Sequence, residues 1–587
     1  MKMQHWTAFA VSAVLGTIAV ATGGEGIGPE KKIIMVGPGM PTARSLRGGW
    51  QEMEKRAPFD GLAIYPITYK DGIATEALGR PFRQDRHRIE DFDDGIADLQ
   101  HIRAMKPSRF KHNFLHAYLT TGDKAKEVPD WFDDFDAVVN NWKVMAEYCK
   151  RSGLAGISFD DETYYGRMLW SYDQRSKYVK TKTAGQYADQ AFLRGAQIMR
   201  AINTVYPDIH ILSQHGPSTA RLACDESGRL IRDDTANYAL MTAFFEGLTS
   251  ECTGKARIIN GFLGSYGYRY AVSFRSALRW MKEKSRPLSR VPEKFDQHYQ
   301  VAFQIPMGHY GTIGFGENPK SNFFTLDEFE YAVHQALKHA DEYVMVNTGQ
   351  DMPNVFWWSA PKGYVQIPQA YGDALLTARR PHPHRPIMRH LDAHAWTHPG
   401  STKPPRRLGP SMSGFPQFAG YDESETFGDL WKDYEQLAEL PHLWRFRIDP
   451  ENIGLREKWF LPTARNNGWF WITSELPWDD YGYRLYDGYG WYRQDFVAPR
   501  LPDGKKIYLA FGAVAHGAEV YVNGHRVGQH NMDGWAYGAG ELWKKRFLID
   551  VTGRLRGSQR NAIAVRVVDY GTFGGGIWKP VKLIAEK

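Results

Sequence analysis

From residue 32 to about residue 359, short apolar runs alternate with longer stretches whose apolar residues recur every three or four positions. The runs lie at 33–37, 61–67, 110–119, 155–159, 209–213, 258–263, 301–306 and 343–347, and clear amphipathic stretches at 131–151, 184–205 and 326–340. Apolar runs of this length bounded by Gly, Pro and Asn predict buried strands, and the three/four spacing predicts helices that cover them. Eight strand–helix alternations predict an α/β fold, a (β/α)8 barrel over 30–360 with enlarged loops after its strands. An open doubly wound sheet would alternate too. However, the turn after the first run, Gly37-Pro38-Gly39-Met40-Pro41, is too rich in proline to cradle a phosphate.

Over 361–440 the periodicity dissolves into Pro, His, Arg and Gly, which predicts a connector. From 441 to 587 the period becomes two. Alternating runs at 491–496, 507–511, 519–522 and 562–568 are separated by Gly, Asn and Asp turns, and Asn523-Gly524 directly follows Tyr521-Val522 as a hairpin signal. This predicts an all-β sandwich.

The N-terminus bears on the compartment. Lys2 and His5 precede an apolar run, 8–21, that is too short for a membrane span and ends in Ala19-Val20-Ala21, a small-x-small cleavage pattern. Residues 1–21 therefore read as a signal peptide, and the protein is expected to be exported, to the periplasm or beyond. The three cysteines, Cys149, Cys224 and Cys252, allow one disulfide at most, Cys224–Cys252 being a possible pair, so the fold must rest on its cores. Composition is ordinary for a globular chain, with 43% hydrophobic and 24% charged residues. The net charge of +7 is not gathered into a basic stripe, so no nucleic-acid partner is expected. Aromatics at 14%, including 19 Trp, are an excess that soluble proteins use as stacking platforms as well as core.

Several motifs in the last hundred residues fall in a fixed order. They are Gly490-Trp491-Tyr492-Arg493-Gln494-Asp495-Phe496, Phe511-Gly512-Ala513-Val514, Val520-Tyr521-Val522-Asn523-Gly524, Gly534-Trp535, the stretches 547–552 and 561–567, and Gly575-Gly576-Ile577-Trp578-Lys579-Pro580. Together they resemble the galactose-binding-like jelly roll that serves family 2 glycoside hydrolases as a sugar-binding domain. Those enzymes carry the module before their barrel, whereas here it follows, so the resemblance does not extend to the whole enzyme. The barrel in turn resembles a group of bacterial glycoside-hydrolase-like barrels through Gly156-Ile157-Ser158-Phe159-Asp160-Asp161-Glu162, the passage from Met199-Arg200-Ala201 through 208–213, and Asp341-Glu342-Tyr343-Val344-Met345-Val346 followed by Trp357-Trp358. The likeness implies a carbohydrate substrate.

Hydrolysis of an acetal needs a carboxylic acid to protonate the leaving oxygen, and usually a second carboxylate to attack or to activate water. Barrels present such groups at the C-terminal ends of their strands. The fourth strand ends Asp160-Asp161-Glu162, and alternation puts Asp160 and Glu162 on one face and Asp161 on the other. This ending also resembles the fourth strand of family 18 chitinases, in which the Glu is the acid and the Asp positions an acetamido group. Ser158 departs from that pattern, which wants a further Asp. Glu162 is thus expected as general acid/base, Asp160 as its partner, and Glu317, in the loop after the seventh strand, as nucleophile or base. Glu246, on a helix, is a weaker candidate. The spacing between Glu162 and Glu317 would distinguish a retaining from an inverting mechanism, and a substrate-assisted route needs no second carboxylate.

Residues near the strand ends that suit stacking on a sugar or hydrogen-bonding its hydroxyls are Asp161, Tyr164, His116, His215, His309, Tyr310, Asn347, Trp357 and Trp358. His390, His394 and His398 repeat every four residues, but Pro399 and the flanking prolines argue against a helix that would converge them on a metal. They read as connector histidines, and neither metal nor cofactor is called for. The other function class open to this sequence is a carbohydrate-binding protein on a barrel that has lost its catalytic pair. The oligomeric state is left open.

Overall fold

The structure, a computed structural model, describes residues 27, 31–380 and 422–587, except positions 38, 71–72, 76, 120–127, 164–168, 217–221, 225–229, 237, 269–270, 308–323, 349–354, 357–364, 475–476, 479–482, 484–485, 533–541 and 571–574. The expected signal peptide and most of the expected connector, with its histidines, lie outside these residues.

Eight parallel strands form the first unit: β1 (Lys32–Val36), β2 (Gly61–Ile64), β3 (Phe114–Tyr118), β4 (Gly156–Asp160), β5 (His210–Ser213), β6 (Arg257–Asn260), β7 in two pieces (Tyr299–Val301 and Phe303–Pro306) and β8 (Tyr343–Asn347). Each pairs with its sequence neighbour, and β1 pairs with β8. Closure depends on β7. Its first piece pairs with β6, its second with β8, and only Ala302 lies between them. The ring is therefore a closed (β/α)8 barrel.

Helices α1 (Ala43–Arg56), α2 (Asp93–Ala104), α3 (Asp136–Ser152), α4 (Ala184–Asn203), α5 (Ala239–Ser250), α6 (Ala271–Arg279), α7 (Pro292–His298) and α8 (Leu326–His339) lie between the strands, and α9 (Gln369–Thr377) follows. Three begin with reciprocal capping boxes, Thr42 with Ser45, Thr183 with Gln186 and Thr325 with Glu328, so orphan N–H groups are met by local sequence.

Three boundaries differ from the periodicity. The run at 110–119 becomes strand only from Phe114, because Phe110 has φ +53° and Asn113 holds the turn, donating to the Phe110 carbonyl and accepting from Leu62 N–H. The second strand stops before Pro66, which cannot donate to a ladder. The third helix starts at Asp136, where the Asp134 side chain accepts its N–H.

Inward-facing positions of the barrel form an apolar plug that includes Ile34, Ala63, Phe114, Leu212, Ile259 and Ala302, all without exposed surface. Outward positions pack on the helices. Around β4, Phe159 meets Phe82, Trp142 and Trp170 at ring separations of 6.0, 5.2 and 6.5 Å. Cys149 and Cys252 are buried free thiols, so the possible Cys224–Cys252 bridge is not formed; burial pushes the Cys252 thiol up to about 12.

The second unit is antiparallel. Strands β9 (Tyr434–Glu439), β10 (Leu443–Asp449), β11 (Phe470–Thr473), β12 (Gly488–Val497), β13 (Ile507–Phe511), β14 (Gly517–Val522), β15 (His525–His530), β16 (Phe547–Asp550), β17 (Arg560–Asp569) and β18 (Val581–Glu586) form two sheets, ordered β9-β18-β13-β16 and β11-β10-β12-β17-β14-β15. Leu509, Phe511 and Leu583 of one sheet and Phe446, Tyr492 and Val565 of the other belong to one buried core, the interior of a β-sandwich. Its first strand, β9, begins inside the stretch that reads as connector, because only period-two pairing with β18 reveals it. Much of the aromatic excess is structural. Trp131, Trp142, Trp170, Trp444, Trp478 and Trp491 are all fully buried.

Candidate functional site at the mouth of the barrel

Asp160 is the last residue of β4 and sits opposite Tyr118 of β3. Its parity matches Ser158, whose neighbours in register, His116 and Leu212, face the barrel axis. Asp160 therefore points into the mouth, where strand ends open into loops. Its Oδ1 accepts the backbone N–H of Glu162 at 3.3 Å. Glu162 follows on the same side, and its Oε1 lies 3.8 Å from Nε2 of His215, two residues beyond β5.

Asp161 faces the other way and has no exposed surface. Its carboxylate accepts the Ser213 hydroxyl and the backbone N–H of His215, the latter at 2.9 Å. His215 Nδ1 also lies 3.2 Å from Asp161 Oδ1, but off the line a hydrogen bond requires, so the contact is electrostatic. Trp170 Nε1 donates to the Asp161 carbonyl at 2.6 Å. Asp161 thus locks the β4 end to the β5 end. The expectation that it contacts substrate is corrected, since none of its surface is open.

The electrostatics follow from three acids meeting one imidazole. Burial, with the charges of Asp161 and Glu162 added and that of His215 opposing, pushes the Asp160 carboxyl up to about 7. For His215, burial alone would lower the pKa, but Asp161, Glu162 and Asp160 outweigh it and hold the ring above its ordinary value. The imidazole also stacks on Tyr238 at 5.6 Å, and the Tyr238 hydroxyl meets the Thr163 backbone N–H at 3.2 Å.

Across the ring, Tyr266 stands on a helical turn after β6. Its phenol oxygen accepts from Asn347 Nδ2 at 2.6 Å and from Gln304 Nε2 at 2.7 Å. Burial, then the nearby Asp160 carboxylate, drive its pKa far above the usual phenol range, so it keeps its proton. Asn347 itself fits because residue 37 is glycine at φ +86°. A Cβ there would sit 2.2 Å from the Asn347 Oδ1. Expected as a substrate contact, Asn347 is buried and acts here by orienting Tyr266. His116 is also buried, stacked between Tyr65 at 6.2 Å and Tyr118 at 5.8 Å, and burial lowers its pKa to about 4, so it is neutral. Arg80 donates to the Tyr118 hydroxyl at 2.9 Å on the rim.

The mouth thus brings together Asp160, Glu162 and His215, with His116 and Asn347 beside them. Tyr164, His309, Tyr310, Glu317, Trp357 and Trp358 lie outside the described residues, so the Glu162–Glu317 spacing is not part of this geometry. Glu246 is held by Arg232, at 2.9 Å, and by the Arg290 backbone N–H, at 3.1 Å, and is a structural ion-pair centre. Sequence reasoning missed Tyr266, Gln304 and Tyr238. Gln304 carried a readable signal, a lone amide inside the apolar run Val301-Ala302-Phe303-Gln304-Ile305.

One further property of the mouth concerns metals. Asp160, Glu162 and His215 each offer a donor atom, and these atoms lie within 4.8 Å of one another. Two carboxylate oxygens and an imidazole nitrogen suit a divalent ion with open coordination positions.

No family model matches the chain. A stretch covering 16% of the chain is 33% identical to part of the β-glucuronidase of Paenibacillus borealis, 16% of that protein. Over 13% of the chain, the identity to 7% of the β-glucuronidase of Formosa agariphila is 34%. The chain therefore matches less than a fifth of the length of these relatives. Among solved structures, the β-glucuronidase of Ruminococcus gnavus aligns at 21% identity and a TM-score of 0.22, over 26% of this chain and 29% of that one.

Proposed function

We propose that the protein is a glycoside hydrolase that cleaves O-glycosidic bonds of a poly- or oligosaccharide, with Glu162 as general acid/base and Asp160 as its partner. The observation that carries this reading is the pair of carboxyls on one face at the C-terminal end of β4, one of them titrating near 7, at the mouth of a closed barrel. Held protonated up to about 7, the Asp160 carboxyl can donate a hydrogen bond to substrate beside Glu162, the partner role given to it here. In the reaction, Glu162 donates to the leaving oxygen and then deprotonates water. Asp160 holds the substrate and moderates the charge of Glu162, and His215, anchored by Asp161, fixes the Glu162 carboxyl. Glu317 is the proposed nucleophile or base. The segmental likeness to β-glucuronidases supports the reaction class, and the sandwich, taken from β9 onward, is proposed as a galactose-binding-like module of an exported protein.

The convergence of Asp160, Glu162 and His215 favours a second reading, a metal-assisted hydrolase using the same mouth. Incubation of the purified protein with a broad glycan panel, with and without prior treatment with a chelator, tests both. Sugar release that is indifferent to the chelator is the expected result. Release that requires an added divalent ion would favour the second reading, and binding without release from any glycan would leave a carbohydrate-binding protein.

A further inference from the structure

Cross-strand pairing gathers on the sandwich arginines that are far apart in the chain. On β10, Trp444 and Phe446 point into the core with no exposed surface, so Arg445 and Arg447 point out of the six-stranded sheet. Arg493 of β12 lies directly opposite Arg445 on one side, and Trp471 of β11 on the other. All three arginines and Trp471 are half-buried, and so within reach of solvent. Each guanidinium lies over an indole: Arg445 is 4.5 Å from the Trp471 ring centre, Arg447 4.1 Å from that of Trp459 and Arg493 5.2 Å from that of Trp469. The turn at 464–467 borders the group and adds Arg465, Asn466 and Asn467, all exposed. Arg493 donates to the Leu461 and Ala464 carbonyls at 3.1 and 2.9 Å and to Asn466 Oδ1 at 3.2 Å, and Arg447 to the Asn467 carbonyl at 3.4 Å.

Neighbouring arginines are neutralised by acids. Arg566 and Arg526 share Glu519, and Arg560 holds Asp495 at 3.2 Å. The buried Asp449 is turned to the Trp491 indole and to backbone N–H groups. Among the described residues, Arg445, Arg447 and Arg493 make no ion pair. Like charges directly opposite on a ladder destabilise it. Burial pulls the Arg493 pKa below its usual value, with Asp495 opposing and Arg445 adding to the pull. The sheet thus tolerates a repulsion that an anion lying across it would relieve.

The form of the face narrows the class of anion. An indole behind each guanidinium fixes its plane, and the planar fork of N–H groups matches carboxylate or sulfate. The three centres are spread about 5 Å across the ladder and about 7 Å along it, which suits anions repeated on an extended polymer. Single-stranded nucleic acid would bring bases that need open aromatic rings. Trp459 and Trp469 are only 8% and 7% exposed and already carry guanidiniums. A sugar polymer has no such need, and the exposed amides of Asn466 and Asn467 suit its hydroxyls.

We propose that Arg445, Arg447 and Arg493 form a docking face for an acidic polysaccharide, one that carries carboxylate or sulfate on its sugar units. The choice of a sugar polymer rests on the glycoside-hydrolase reading of the barrel; the charge argument does not.

The test is calorimetric titration of the full-length protein with polygalacturonate, dextran sulfate, uncharged dextran and single-stranded DNA, with thermal melts of each variant. At least one acidic polysaccharide should bind about ten times or more tighter than uncharged dextran, and more weakly as salt rises. Arg445→Gln should weaken that binding about threefold to tenfold, and Arg445→Glu by at least about 30-fold, since the new carboxylate also occupies Arg493. Lys505→Gln, which removes an exposed cation outside this face, should leave binding within about twofold. The melting temperature should hold in Arg445→Gln and hold or rise in Arg445→Glu, because an opposite-charge pair replaces a like-charge one. An arginine with a structural role alone would lower the melting temperature and leave binding unchanged. That result, equal losses in Lys505→Gln and Arg445→Gln, or no binding of either acidic polysaccharide would each overturn the proposal. So would dextran binding as tightly as they do, or DNA binding more tightly. Glu162→Gln keeps the two claims apart: a variant that binds acidic polysaccharide like wild type, while wild type releases sugar from no glycan, would retain the face and sink the hydrolase reading.

Discussion

Replacing Asp160 by Asn tests the electrostatic core of the site. The Asp160 carboxyl is moved from its ordinary value of 3.8 to about 7, chiefly by burial and then by the neighbouring acids. At 1.36 kcal/mol per pH unit, its ionised form costs the folded protein up to roughly 4 kcal/mol. Solvent at the partly open mouth trims this toward about 2 kcal/mol. The sign follows from proton linkage. Between pH 4 and 7 the folded chain keeps a proton that the unfolded chain has released, so this group lowers stability progressively as pH rises through that window, and the full penalty stands above 7. Asn never ionises. The variant should match wild type near pH 4 and exceed it by about 2–4 kcal/mol at pH 8, while losing most turnover. Denaturant titrations at pH 4, 5, 6, 7 and 8, followed by tryptophan fluorescence and near-ultraviolet dichroism to separate the barrel transition from that of the sandwich, measure the difference. A stability difference that is flat with pH, or a variant less stable than wild type at pH 8, would refute the argument that Asp160 is a destabilised carboxyl.

Asp161→Ala should act in the opposite sense, destabilising by about 2–5 kcal/mol, because the Ser213 hydroxyl and the His215 N–H each lose a buried acceptor; denaturant midpoints check it. The same change should lower the His215 pKa, read by NMR titration, since Asp161 is the largest influence that raises it against burial. A His with a raised folded pKa adds stability that is present below its ordinary value and lost as pH rises through the folded one, so the pH slope from this group should flatten in Asp161→Ala. A fragment covering 422–587 should melt cooperatively and at higher temperature than 441–587, because the shorter piece lacks β9 and uncovers the β18 edge.

The barrel was legible because its strands are compact apolar runs, several of them ended by Gly, Pro or Asn, and its clearest helices keep their own period, two of them, α4 and α8, behind capping boxes. Asp160 and Glu162 were legible for a related reason, since alternation from Ile157 and Phe159 fixes which residues face the axis. What escaped depends on contacts between distant strands. Tyr266 acquires its role only from Asn347 and Gln304, which reach it from β8 and β7. Alternation turns Asp161 away from its two acidic neighbours, but only the closing of β4 against β5 shows what it anchors, Ser213 and His215. Strand β9 sits in polar sequence, Tyr434–Glu439, and is recognisable only once β18 pairs with it. The Cys252 thiol illustrates the same limit, because spacing alone permits a bridge that the buried geometry does not make.

The claim on which the account rests is that Glu162 supplies the proton to the leaving group, and leaving-group dependence tests this most directly. Wild type and Glu162→Gln would be compared on a glycan substrate found in the panel and on the matching dinitrophenyl glycoside, whose leaving group departs without protonation. The account predicts that kcat/KM of the variant falls by at least about 10²-fold on the glycan, within the range that general acid catalysis contributes, yet by less than about tenfold on the activated glycoside. Equal losses on both substrates, or no loss on the glycan in a correctly folded variant, would contradict it.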